Sequence, residues 1–76
     1  MKETNIVLRD IASIREFVQQ IILIDYEVDL VQGRYIIDAK SIMGIFALDT
    51  LSPIKLVAHT DNSDDLFAKI DKFIVK

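Results

Sequence analysis

The chain is read as strands and helices from the spacing of its apolar positions. Asn5 to Arg9 is a short apolar run of strand length. From about Asp10 the spacing changes to a helical one. Ile11, Ile14, Val18, Ile21 and Ile22 share one stripe, while Arg15, Glu16 and Gln19 lie away from it. Tyr26 to Leu30 alternates with period two, Gln32 and Gly33 supply a turn, and Arg34 to Ile37 returns as a second β-rich run, which predicts a hairpin. Ser41 suits a helix N-cap for a short helix within Ala39 to Leu48. Pro53 then opens a strand through Ile54, Leu56 and Ala58.

The last segment predicts a helix with Asp61 and Asn62 as caps. Asp64 and Asp65 fall in its first turn and Lys69, Lys72 and Lys76 towards its end, which complements the helix dipole. Leu66, Phe67, Ile70, Phe73 and Ile74 form its apolar stripe. The order is β-α-β-β-α-β-α. Its natural solution is a two-layer α+β domain, an open-faced sandwich of a four-stranded, mostly antiparallel sheet with three helices on one face.

With 76 residues and no linker or repeat, one domain over 1–76 is expected, and 51% hydrophobic content supplies a core. No cysteine is present, so disulfides, thiolate metal sites and cysteine nucleophiles are excluded. The opening Met1-Lys2-Glu3-Thr4-Asn5 lacks the apolar stretch of a signal peptide, and no run approaches membrane-spanning length. A cytoplasmic location is expected, with no membrane partner. The net charge of -3, with nine scattered Lys and Arg residues, argues against nucleic acid as a partner. Neither a cofactor nor a metal site is indicated.

The segment Asp38-Ala39-Lys40-Ser41-Ile42-Met43-Gly44-Ile45 resembles the stretch around the regulatory serine of HPr, the histidine-containing phosphocarrier family of the bacterial sugar phosphotransferase system. Phe17-Val18 in helix one, the hairpin and the element order extend the resemblance over most of the chain. The family carries its phosphoryl group on a histidine at the start of the first helix, followed two residues later by arginine and three later by proline. Placing Phe17-Val18 on the family's equivalent pair sets Asp10, Ala12 and Ser13 at those three places. His59, in the strand after Pro53, is the only histidine.

Each candidate residue has a plain structural account beside its functional one. Asp10 is a good N-cap; as the stand-in for the histidine it would imitate a charged carrier or, less readily, take phosphate itself as an acyl phosphate. Ser41 is likewise a good N-cap; the resemblance implies phosphorylation by an ATP-dependent HPr kinase, with Lys40 beside it to offset the charge. Ile42, Met43, Ile45 and Phe46 are too many apolar residues for one short helix to bury, so some belong to the surface. The resemblance makes that surface a docking patch, with Lys40, for HPr kinase or other HPr-binding proteins. His59 reads as a partly exposed strand residue, and Asp61, Asp64 and Asp65 as a solvated helix start.

The resemblance implies a regulatory or protein-binding module switched at Ser41, or a decoy for HPr's partners, and not an enzyme. The alternative is a small ligand-binding or oligomerisation module that keeps the fold without a phosphotransferase role; oligomeric state is left open. A genuine phosphocarrier working through an unusual residue is the third reading.

Overall fold

The computed structural model describes residues 1–75. Strands β1 (Lys2–Ile6), β2 (Val28–Gln32), β3 (Tyr35–Asp38) and β4 (Ile54–Ala58) form one sheet in the order β1-β4-β2-β3. Every pairing is antiparallel: β1 with β4 from Lys2 opposite Ala58 to Ile6 opposite Ile54, β4 with β2, and β2 with β3. Helices α1 (Ile11–Ile21), α2 (Ile42–Phe46) and α3 (Asp64–Lys69) complete the α+β sandwich, with a turn of 3-10 helix at Asp71–Phe73.

Period-two alternation assigns the two sheet faces. Along β4, Ile54, Leu56 and Ala58 are buried while Lys55 is exposed; along β2, Val28 and Leu30 are buried. That face joins Ile14, Phe17 and Ile21 of α1, Ile45 of α2 and Leu66 of α3 in one core. Phe17 meets Phe73 edge to face, with ring centroids 5.8 Å apart. Full burial of each such side chain contributes about 1.5–3 kcal/mol. The opposite sheet face is open and carries Glu3, Lys55, Asp29 and Ile36.

The hairpin turns on two residues, Gly33 and Arg34, and Gly33 alone has a positive φ, 58°. A positive φ confined to the first turn position follows the type II′ pattern, which matches the twist of the flanking strands and favours glycine there.

Five sequence expectations are corrected. The first strand is Lys2–Ile6 and not Asn5 to Arg9. The apolar run beyond Ile6 does not join β4: Leu8 is in the core, and the half-buried Val7 donates its amide to the Phe73 carbonyl at 2.9 Å. The buried arc of α1 is Ile14, Phe17 and Ile21, with Val18 partly buried, whereas Ile11 and Ile22 are exposed. At 3.6 residues per turn those two lie roughly 70° and 90° from the centre of the arc.

The hairpin begins at Val28 and not at Tyr26, which packs on the core from the preceding turn. The last helix ends at Lys69: Ile70 leaves helical geometry, with φ -108° and ψ 14°, and Ile74 is extended. Ile74 bridges Ile6, and the Val75 amide donates to the Asn5 carbonyl at 2.8 Å, so the chain covers the outer edge of β1 instead of extending the helix. The α3 N-cap residue is Ser63 in place of Asp61 or Asn62, although the Asn62 side chain does accept the Asp64 amide at 3.2 Å. Lys76, expected near that helix end, lies outside the described residues.

Candidate functional site

Two helix starts hold the residues singled out in the sequence. At the first, Asp10 is extended, with φ -148° and ψ 173°, and its Oδ1 accepts the Ser13 amide at 2.7 Å. Asp is favoured here because its short carboxylate reaches a first-turn amide that has no helical partner. Hydrogen bonding to Ser13, by its backbone and then its side chain, holds the Asp10 carboxyl below its ordinary value of 3.8. One carboxylate oxygen is thus occupied in capping. Ser13 is half-buried and Ala12 exposed.

A cleft of about 420 Å³ lies between the start of α1 and the end of the described chain, lined by Arg9, Ser13, Glu16, Lys72, Phe73 and Val75 among others. Lys72 forms an ion pair with Glu16 and stands 5.6 Å from the centre of the Phe73 ring. Arg9 is exposed. It is the one cation beside Asp10 in sequence, and the residue pattern gave no reason to single it out.

At the second helix start, Ser41 is extended and its Oγ accepts the Gly44 amide at 3.1 Å. The turn before it is held by Asp38, whose Oδ1 accepts the Lys40 amide at 2.9 Å and whose carbonyl accepts the Ser41 amide at 3.0 Å. Gly44 is set close against β3. A Cβ there would meet Ile37 Cδ1 and Ser41 Oγ, each at 3.3 Å.

The helix divides its apolar residues sharply. Met43 is 76% exposed and Phe46 45% exposed, Ile42 is half-buried against the core, and Lys40 is half-buried. Ile45 is wholly buried, which removes it from any contact surface: it is the residue by which α2 packs on the sheet. Ile11, on the helix that packs beside α2, is 59% exposed. Its marginal place on the α1 arc was the available signal for that exposure.

His59 is remote from the start of α1 but lies at the end of the sheet from which β3 leads into α2, since its partner Asp29 is opposite Asp38. It follows the end of β4 that pairs with the beginning of β1, whereas α1 begins after the other end of β1. The His59 amide donates to the Glu27 carbonyl at 2.9 Å, and its Nε2 lies 2.7 Å from Asp29 Oδ2 on the open sheet face. Among the described residues, no group of three or more His, Cys, Asp or Glu side chains is placed to hold a metal ion. No helix of the described residues is long and apolar enough to cross a membrane.

No protein-family model matches the chain, and no curated protein matches it. Among solved structures, the chain is similar to HPr-C-His from Thermoanaerobacter tengcongensis, with a TM-score of 0.81 and 26% sequence identity. The match covers 96% of this chain and 91% of that one. Element order, sheet and helices together are those of an HPr-like fold.

Proposed function

This chain has the HPr-like fold, and we propose that it works by binding other proteins through α2, with Ser41 as the point of control and without carrying phosphate on a histidine. The observation that carries this reading is the exposure of Met43 and Phe46 on the helix that Ser41 caps. Exposed methionine and aromatic side chains grouped on one short helix supply adaptable apolar contact area, and a modification at the cap would change the charge of that same surface.

The start of α1 supports the second half of the reading. An imidazole carrier presents a free nitrogen; here the first helix starts with a carboxylate engaged by the Ser13 amide. Transfer to Asp10 would break that cap and would bring an anionic donor to an anion. The sole histidine is on the open sheet face, hydrogen-bonded to Asp29 and with Glu27 as its backbone partner. These features favour a binding module over a phosphocarrier and favour no catalytic role.

Intact-mass measurement after incubation with ATP, magnesium and an HPr kinase tests the control point. One added phosphate, absent from Ser41→Ala, is the expected result. No addition, under conditions that modify authentic HPr, would remove Ser41 as a switch. Phosphate acquired from phosphoenolpyruvate through Enzyme I would overturn the non-carrier reading.

A further inference from the structure

The open face of the sheet joins the histidine to the turn that starts α2. His59 Nε2 lies 2.7 Å from Asp29 Oδ2, and both side chains are partly exposed, so the pair is in contact with solvent. Asp29 is opposite Asp38 in the β2–β3 ladder. Asp38 builds the turn before α2: its Oδ1 accepts the Lys40 amide at 2.9 Å, and its carbonyl accepts the Ser41 amide at 3.0 Å. A series of neighbours therefore runs from His59 through Asp29 and Asp38 to the Ser41 cap.

The register sets how closely the two carboxylates approach. With a two-residue loop, Gln32 and Tyr35 are a hydrogen-bonded pair and the pairs alternate from there, which makes Asp29 and Asp38 a non-hydrogen-bonded pair. Such pairs bring side chains closest, and like charges in them repel. The Ala39 amide donates to the Val28 carbonyl at 2.9 Å, as that alternation requires. A neutral imidazole gives Asp29 a hydrogen bond but leaves its charge in place. An imidazolium cancels that charge. The protonation state of His59 thus sets how strongly Asp29 pushes on Asp38.

Other charged groups surround the imidazole. Glu27, whose carbonyl accepts the His59 amide at 2.9 Å, and Asp61, two residues beyond His59, are exposed carboxylates. On the β1 side Met1 brings its amino group, one residue before Lys2, which is opposite Ala58. Glu3, opposite Val57, is paired with Lys55 at 3.5 Å. Asp64 and Asp65 begin α3 on the covered side, where Asp65 accepts the Tyr26 hydroxyl. Lys40 follows Asp38 on the far side of the turn. Of these groups, His59 is the one in direct contact with Asp29.

We propose that His59 is a pH-sensitive control on α2. Protonation of its imidazole neutralises Asp29, relieves the repulsion on Asp38 and fixes the turn that presents Lys40 and Ser41; loss of the proton loosens that turn. Histidine is the side chain suited to this, since its charge changes between about pH 5 and 8. The relay is a property of the free chain. Its effect on binding rests on the reading of α2 as a docking helix.

Amide spectra of the free labelled chain from about pH 5 to 8, recorded together with the His59 ring signals, test the relay. The Lys40 and Ser41 amides are expected to shift with the midpoint of the His59 ring. His59→Gln keeps a donor for Asp29 without the titration, and there the shifts should vanish. Asp38→Asn keeps an acceptor for the Lys40 amide without the charge, and there they should shrink. Lys40 and Ser41 amides that stay still while the wild-type ring titrates, or that shift equally in His59→Gln, would overturn the proposal. Binding to an HPr kinase, taken as the ratio of wild type to His59→Gln, is expected to be roughly two- to fivefold tighter at the acid end than at the alkaline end. A ratio independent of pH would overturn the control of binding. No binding by either chain would overturn the docking reading, with the relay decided by the spectra of the free chain.

Discussion

The Ser41 hydroxyl oxygen accepts the Gly44 amide at 3.1 Å, so the residue proposed as the control point is also the residue that starts α2. A helix of five residues has little intrinsic stability and depends on its cap and its packing. Ser41→Ala is expected to cost about 1 kcal/mol, whereas Ser41→Asp keeps a capping oxygen and costs less. Urea denaturation of the two variants measures the difference, and equal losses would show that the cap contributes nothing.

Gly44 faces two opposed effects. Alanine gains about 1 kcal/mol of helix propensity. Its Cβ, however, would stand 3.3 Å from Ile37 Cδ1 and Ser41 Oγ, against the side chain that seats α2 on β3. The crowding is expected to win, leaving Gly44→Ala less stable by about 1 kcal/mol. In an Ile37→Val background, which removes Cδ1, the loss shrinks. Denaturation of the four members of that cycle supplies the coupling, and additivity would refute the contact.

Asp10 should report on pH. Its carboxyl is held below the ordinary 3.8 by the Ser13 hydrogen bonds, so its stabilising effect is complete above the unfolded value and is lost as pH falls through the folded one. Asp10→Asn retains a capping oxygen without the titration. The melting-temperature difference between wild type and Asp10→Asn is expected to favour wild type near neutrality and to shrink as pH drops below 3.8. Thermal melts at neutral and strongly acid pH check this.

Tyr26 titrates at the other extreme. Burial, then its hydrogen bond to Asp65 at 3.2 Å, then the charges of Asp65 and Asp25 push its phenol from 10.0 up to about 12. A raised folded value stabilises below the unfolded one, so this contribution is intact below pH 10 and is lost as pH rises from there towards 12. Ultraviolet titration should show the late phenolate, and Asp65→Asn should lower its midpoint while burial keeps part of the rise.

The layered α+β order was legible because Leu30, Leu56, Ile14 and Leu66 follow the periods of strand and helix that bury them. Ser41 and Asp10 were legible as caps because a cap is a local event, decided within three residues. Long-range competition was not legible. Ile6 to Leu8 has the apolarity of a strand, yet Val7 is bonded to the chain's end, and Ile74 leaves its helical stripe to meet Ile6. Likewise, four apolar residues on α2 established that some are exposed, but only the seating of the helix on β3 decides that Ile45 goes inward and Met43 outward. The His59–Asp29 pair joins residues thirty positions apart across two strands, which no local pattern encodes.

The most direct test of the binding role is a two-dimensional amide NMR titration of the labelled chain with an HPr kinase, for the wild type and for Met43→Glu. Shifts centred on Ser41 to Phe46, and lost in Met43→Glu while its spectrum stays folded, are the predicted result. No shift at any ratio, or shifts centred on the open sheet face around Asp29 and His59, would contradict docking through α2.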